Sequence, residues 1–265
     1  MSLSAPSFGA VVDLFHRASG IRLSPAKKPL VEGRLQKLAA DRGMPDLDRY
    51  VQWLISDRDA DETRRVIDKL TTNETYFFRE PQHFDLLARL AEGHPPGGDA
   101  FRVWSAASST GEEAFSIAMV LADKLGKRPW SVEGTDLSTA VVAAAQQALF
   151  PMDRARNTPE AYLRRFCLKG QGAYAGKLLI ARELRERVRF SPANLMQPLP
   201  EIGPFDVIFL RNVLIYFEPQ AKVAIVRRVM GRLKPGGLLF TGHAESLSGT
   251  ALELRSVQPA VYARA

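Results

Sequence analysis

The sequence predicts an α/β protein in which a doubly wound, mainly parallel sheet follows a small all-helical domain. Three observations predict it. From Phe8 to Leu70 apolar residues recur at helical spacing, with no strand-like alternation. From Phe101 onward, short apolar runs alternate with amphipathic helices. Between Pro151 and Ala181 that alternation breaks, and glycine-rich turns flank short apolar runs; this reads as a small antiparallel insert, a plain loop being the alternative.

Phe8 to Ala18 places Val11, Val12, Leu14 and Phe15 near one helical face. Ser24-Pro25 opens a second helix reaching Arg42, where Gly43 is a stop. Asp46 to Ser56 carries Leu47, Tyr50, Val51 and Leu54 on one side, and Asp61 to Leu70 repeats the pattern with Val66, Ile67 and Leu70. Pro81 to Leu90 is a further helix, and Gly93 to Asp99 a loop. Predicted strands are Phe101–Ala106, Trp130–Thr135, Val188–Ser191, Phe205–Leu210 and Leu238–Gly242, with Ala260–Ala263 as an edge strand. Helices fill Glu112–Leu125, Ser138–Leu149 and Pro219–Leu233, the last stopped by Lys234-Pro235-Gly236-Gly237. The resulting division is a helical domain over 1–72, a linker and connecting helix over 73–98, and a sheet domain over 99–265 with an insert at about 151–186.

The balance of 46% hydrophobic and 25% charged residues is that of an ordinary soluble globular chain. No apolar run approaches the ~20 residues that cross a bilayer, and Met1 to Ala10 lacks a secretory pattern. Cys167 is the only cysteine, so no internal disulfide can form, and a cytoplasmic location is expected. With no histidine within twenty residues, Cys167 reads as a small buried hydrophobe rather than a nucleophile. The net charge of +7 favours acidic partners, a solvated basic surface being the alternative; no zinc-finger spacing or RNA-binding aromatic signature accompanies it.

In doubly wound sheets, ligands bind beyond the carboxyl ends of the strands. The first such end runs from Val103 through Ala106 to Gly111, Glu112 and Glu113, a string of small residues leading into a helix. Small side chains let the backbone approach a ligand closely. The dinucleotide fingerprint and the phosphate-cradling Gly-Lys-Ser/Thr are both missing, and two glutamates would repel phosphate. They suit a cationic ligand, or they complement the helix N-terminus. Asp136, ending the second strand 25 positions after Gly111, is placed to accept both hydroxyls of a ribose, or to cap the next helix. Asn194 and Leu195, after the third strand, suit a purine edge and face. A nucleoside carrying positive charge and no phosphate is what S-adenosylmethionine offers.

Thr71-Thr72-Asn73-Glu74-Thr75-Tyr76-Phe77-Phe78-Arg79-Glu80 resembles the segment joining the domains of chemotaxis receptor methyltransferases, the CheR family. Val103 to Glu113 resembles that family's first cofactor loop, and Phe205 to Phe217 its fourth strand and following loop. Lys234-Pro235-Gly236-Gly237 and Gly242-His243-Ala244-Glu245-Ser246 are similar to its closing turn and last loop. The resemblance covers nearly the whole chain; Ala114 stands where many relatives carry proline. It implies a Rossmann-like methyltransferase domain that binds S-adenosylmethionine, releases S-adenosylhomocysteine and needs no metal. The cofactor contacts it implies are Asn73, Thr75, Arg79, Ala106, Glu113, Asp136, Asn194, Leu195, Arg211 and Asn212.

The implied reaction esterifies glutamate side chains of methyl-accepting chemotaxis receptors. A glutamate carboxylate is ionised at neutral pH, so no general base is required, consistent with the lack of any Ser/His/Asp or Cys/His arrangement. Arg79 and Tyr216 are expected to hold the acceptor carboxylate as donors that do not compete as nucleophiles. Six basic residues and two acids lie between Arg22 and Arg42, and Arg34 and Lys37 sit beside the apolar face of that helix; the resemblance makes them candidates for receptor recognition, and a solvated basic face is the alternative. It further implies recruitment to membrane-bound receptor arrays, and capture by the insert, in some relatives, of a receptor's C-terminal peptide as an added strand. Rival readings are a nucleic-acid methyltransferase and an inactive cofactor-sensing scaffold. Arg211-Asn212-Val213-Leu214 stands where amino-methylating nucleic-acid enzymes carry Asn/Asp-Pro-Pro-aromatic, which argues against the first; Arg79, Asp136 and Tyr216 argue against the second.

Overall fold

In the computed structural model, residues 2–264 are described; Met1 and Ala265, the outer ends of the two expected domains, lie outside them. The chain divides into two compact units, one comprising residues 1–72 with 216–221, the other 73–215 with 222–265.

The first unit packs α1 (Ala5–Ser19), α2 (Lys28–Asp41), α3 (Leu47–Asp57) and α4 (Ala60–Leu70). Side-chain caps set the starts of three of them: Ser4 accepts from the Ser7 amide, Asp46 from Arg49, and Asp59 from Asp61 and Glu62. Val11, Phe15, Val31, Leu35, Tyr50, Leu54 and Val66 meet in one apolar cluster. Among them lies a carboxylate, Glu62, whose side chain is fully enclosed. It accepts from Tyr50 Oη at 2.7 Å, Arg42 Nη2 at 2.9 Å and Arg65 Nη1 at 2.9 Å. Burial raises its pKa, but those donors outweigh burial and hold it below the ordinary carboxylate value. A depressed pKa contributes stability above the unfolded-state value near 4.5, and that contribution is lost as pH falls through the folded value. Glu62→Gln is expected to cost about 2 kcal/mol in a thermal melt at pH 7 and to flatten the acid limb of the stability profile; an unchanged melt would show the network to be dispensable.

The second unit is built on a seven-stranded sheet in the order β6-β2-β1-β7-β8-β10-β9. In chain order it holds α5 (Pro81–Glu92), β1 (Phe101–Ala106), α6 (Glu112–Leu125), β2 (Trp130–Asp136) and α7 (Thr139–Gln147). There follow β3 (Leu149–Pro151), α8 (Glu160–Phe166), β4 (Cys167–Lys169), β5 (Lys177–Ile180), α9 (Arg182–Arg185), β6 (Val188–Pro192) and β7 (Phe205–Leu210). The chain ends with α10 (Pro219–Met230), of which residues 219–221 fall in the first unit, β8 (Leu233–Thr241), β9 (Leu254–Gln258) and β10 (Val261–Arg264). Five strands are parallel; β10 runs antiparallel to β8, and β9 to β10. Strand order reverses between β1 and β7, whose ends pair as Ala106 with Leu210. The loops after these two strands therefore diverge and leave a crevice.

β3, β5 and β4 form the small antiparallel sheet expected of the insert. It shares the main core: Phe150 meets Phe77 edge-to-face at 4.9 Å, and Phe166, Leu178 and Ile180 are buried in the same cluster. The thiol of Cys167 at the start of β4 is pushed up to about 11 by burial, the behaviour of a packing residue rather than a nucleophile.

Several boundaries differ from expectation by a residue or more, and three of the differences bear on the sheets. The helix predicted to reach Leu149 ends at Gln147, because Leu149 pairs with Leu179 in the small sheet. The helix predicted to reach Leu233 ends at Met230, and β8 starts at Leu233, passing through Pro235-Gly236 by a register shift against β7. The segment around Ala260–Ala263 is not the edge: β9 covers it, and β9 exposes Arg255, Ser256 and Val257, so no apolar alternation announces it.

Candidate functional site

The loop after β1 is shaped by left-handed residues at Ala107, Ser109 and Gly111. Gly111 has φ +101°, and a Cβ there would lie 3.0 Å from Ala145 Cβ and 3.1 Å from Phe190, so glycine alone fits. Asp136 holds the loop: its Oδ2 accepts from the Ser109 amide at 2.9 Å and its Oδ1 from the Ser138 amide at 3.0 Å. Ser138, not Asp136, caps α7, accepting from the Val141 amide. Ser109 Oγ in turn donates to the Asn73 carbonyl at 2.9 Å, tying the 73–80 segment to the cofactor-type loop. Thr75 in that segment is buried, and Ser108 Oγ is buried without a hydrogen-bond partner among the described residues.

Glu112 and Glu113 open α6. Burial raises both carboxyls above the ordinary range, against hydrogen bonds from Thr110 to Glu112 and from Ser105 and Arg211 to Glu113. Arg211, just past β7, has a fully buried guanidinium 2.9 Å from Glu113 Oε2 and 3.0 Å from Glu80 Oε2, and donates to the Arg79 carbonyl. Phe84 and Phe209 flank it, each with ring centroid 5.8 Å away. Arg79 itself is half-buried; its Nη1 bonds the Glu74 carbonyl at 3.1 Å and its guanidinium lies over Tyr76.

Asn212 takes φ +57° after β7. A residue that sequence reasoning did not single out holds it there. Glu245, buried in the loop after β8, accepts from the amides of Asn212 at 2.6 Å, Gly242 at 2.8 Å and Ile215 at 3.2 Å. Gly242 lies so close that a Cβ would be 2.6 Å from Asn212 Nδ2 and 2.7 Å from Glu245. The string Gly242 to Ser246 carried the signal; the acid within it was the unread part. Asn194 accepts from the Met196 amide at 2.9 Å, turning the chain after β6, and Leu195 is buried beside it. Tyr216 is half-buried at the end of a single turn, Leu214–Tyr216. In the first unit, Arg34 donates to the Leu70 and Thr71 carbonyls at 2.8 and 2.9 Å, closing the end of α4, whereas Lys37 is exposed.

His83 is buried against Phe240 and Phe209 and is driven down to about 4 by burial, with the Arg211 charge adding to it, so it is neutral at physiological pH. Glu80, His83 and His243 bring one ligating atom each within 4.8 Å of one another, but the Glu80 oxygen is already committed to Arg211.

Asn73, Thr75, Ala106, Glu113, Asp136, Arg211 and Asn212 thus belong to segments that converge on the β1–β7 switch point, linked by the bonds just described. A loop of small residues without a phosphate-binding lysine and an acid at the β2 tip fit a phosphate-free nucleoside such as that of S-adenosylmethionine; of the two glutamates at the α6 start, Glu113 is already paired with Arg211.

Residues 73–262 match the family described as "CheR methyltransferase, SAM binding domain", and residues 6–71 match "CheR methyltransferase, all-alpha domain". The chain is similar to the chemotaxis protein methyltransferase of Escherichia coli K12, with 39% identity over 251 residues, covering 94% of this chain and 87% of the relative. It is similar to that of Salmonella typhimurium LT2 at 38% over 266 residues, covering 99% and 91%. To chemotaxis protein methyltransferase 2 of Pseudomonas aeruginosa PAO1 it is 38% identical over 261 residues, covering 97% and 92%.

Proposed function

The chain belongs to the CheR methyltransferase family, and on that premise we propose that it methylates glutamate side chains on the cytoplasmic part of methyl-accepting chemotaxis receptors. The observation that carries the reading is the match of both family domains, in order, across nearly the whole chain. When bound, S-adenosylmethionine supplies a methyl group activated on a sulfonium. The acceptor carboxylate oxygen takes that methyl while the carbon–sulfur pair stays on sulfur, leaving a methyl ester and S-adenosylhomocysteine. No proton is removed, and the buried neutral His83 is not called on as a base. The protein's task is alignment and exclusion of water, and alignment alone can lower a barrier by ~7–11 kcal/mol at its most favourable.

Asp136 is assigned to the ribose hydroxyls, Asn194 and Leu195 to the purine, and Glu113, Arg211 and Asn212, with Asn73, Thr75, Arg79 and Ala106, to the remaining cofactor contacts. Arg79 and Tyr216 hold the acceptor carboxylate. The helical domain meets the receptor through its basic face. Lys37 is the cleaner probe there, because Arg34 is engaged in closing α4. The small sheet is the element that would take up a receptor's C-terminal peptide. The enzyme works in the cytoplasm at receptor arrays; no helix among the described residues is long and apolar enough to cross a membrane.

The test is transfer of labelled methyl to receptor-containing membranes, set against tRNA and DNA. Alkali-labile label on receptor is expected; label on nucleic acid, or cofactor binding with no transfer to any acceptor, would overturn the reading. Lys37→Glu is expected to lower receptor methylation about tenfold with the affinity for S-adenosylmethionine unchanged, an effect that shrinks at high salt; equal rates for the two proteins at low salt would remove the basic face from recognition.

A further inference from the structure

Arg79 stands between two residues in the left-handed region, Phe78 with φ +55° and Glu80 with φ +58°. Neither is glycine or asparagine, so neither conformation is intrinsically favoured. Two such residues around one persist only where surrounding contacts over-determine them. At Phe78 those contacts are apolar: the ring packs against Phe84 at 5.0 Å and Tyr162 at 5.7 Å, and the amide donates to Ser116 Oγ. At Glu80 they are polar and reach two other loops. Its Oε2 lies 3.0 Å from Arg211 Nη2 and 3.3 Å from the His243 amide, and its Oε1 3.3 Å from Asn212 Nδ2. The same Arg211 nitrogen also donates to the Arg79 carbonyl, so one guanidinium grips both the peptide of Arg79 and the carboxylate of the next residue. Arg211 cannot swing away, because Glu113 holds its Nη1 and two phenyl rings flank it.

We propose that Glu80 is a positioning residue for methyl transfer, welding the backbone of Arg79 to the loops after β7 and β8 so that the Arg79 side chain is presented in one orientation. The inference rests on Arg79 holding the acceptor. Glu80 touches neither acceptor nor methyl in this role; it acts through Arg79. Neutralising it leaves Arg211 its partner Glu113 but weakens the tie that holds residue 80 left-handed, since an amide NH2 then replaces one of the two acceptor oxygens.

The experiment uses Glu80→Gln, which keeps the shape and loses the charge, and Glu80→Gly, which removes the ties while easing the left-handed backbone. Both are measured for S-adenosylmethionine affinity, thermal melting, kcat and KM on receptor membranes. At saturating cofactor and receptor, kcat is expected to fall at least tenfold in both; because Glu80 also bonds Arg211 and Asn212, cofactor affinity is expected to weaken as well, and saturation separates that loss from the loss in kcat. In an Arg79→Lys background Glu80→Gln is expected to cost less than twofold, since its effect runs through Arg79. Wild-type kcat in both variants, activity fully restored by more cofactor, or an undiminished loss in the Arg79→Lys background would each overturn the proposal. Wild-type turnover in Arg79→Ala would overturn the Arg79 reading and this inference together; an inactive Arg79→Ala beside a fully active Glu80→Gln would overturn only this one.

Discussion

Arg79→Ala is expected to lower receptor methylation by about 10²–10³-fold, the range seen when one preorganised donor is taken from a transition state. The arginine is half-buried, and its guanidinium makes one hydrogen bond, to the Glu74 carbonyl, besides lying over Tyr76. Little folding energy depends on it, so the melt should stay within about 1 °C of wild type. The Arg79 carbonyl remains held by Arg211 in the variant, which keeps the loop in place and confines the loss to the side chain. The guanidinium offers a planar fork to a carboxylate, whereas lysine offers a point charge. Arg79→Lys should therefore recover only part of the rate. Full charge neutralisation would dull the nucleophile, so the effect belongs in kcat through orientation. Labelled methyl incorporation at saturating cofactor measures it; a wild-type initial rate would end the assignment.

Asp136→Ala is expected to weaken binding of S-adenosylmethionine and S-adenosylhomocysteine by about 100-fold, roughly 2.7 kcal/mol. The size follows from losing charge-assisted hydrogen bonds to a ribose, each worth about 1.5–3 kcal/mol. The same carboxylate accepts from the amides of Ser109 and Ser138, both buried. Leaving those donors unsatisfied should lower stability by about 2 kcal/mol as well. Calorimetric titration separates the two effects: protein that stays folded at the titration temperature, yet binds cofactor as tightly as wild type, would show that Asp136 only braces the loop. Asp136→Asn keeps one acceptor oxygen and should fall between.

How far the site could be read from sequence differs residue by residue. The place of Asp136 at the tip of β2, against the loop after β1, was legible because strand ends and their spacing are one-dimensional signals: a strand, a small-residue loop, a helix, a second strand and an acid at its tip. Asn73, Thr75 and Arg79 came only from the resemblance, since a linker polar group carries no periodicity. Glu80 and Glu245 stood inside the quoted strings, but nothing local distinguishes a loop glutamate in water from one that collects amides across two loops. The β9 strand was missed for a related reason, as an exposed edge has no buried face to impose alternation on Arg255, Ser256 and Val257.

By itself the sequence determined the helical periodicity of residues 8–70, the strand–helix alternation after Phe101, the small antiparallel insert and the family. All of these are patterns of neighbours along the chain, where burial on one face leaves a regular trace. Only the tertiary structure decided that Arg211 is shared by Glu113, Glu80 and the Arg79 carbonyl. Only it decided that Glu245 gathers three amides, and that Arg34 is occupied by the end of α4. Apart from the Gly242 amide, three positions from Glu245, these contacts join residues tens of positions apart or more, and a buried charge finds most of its partners through the fold rather than through its neighbours in sequence.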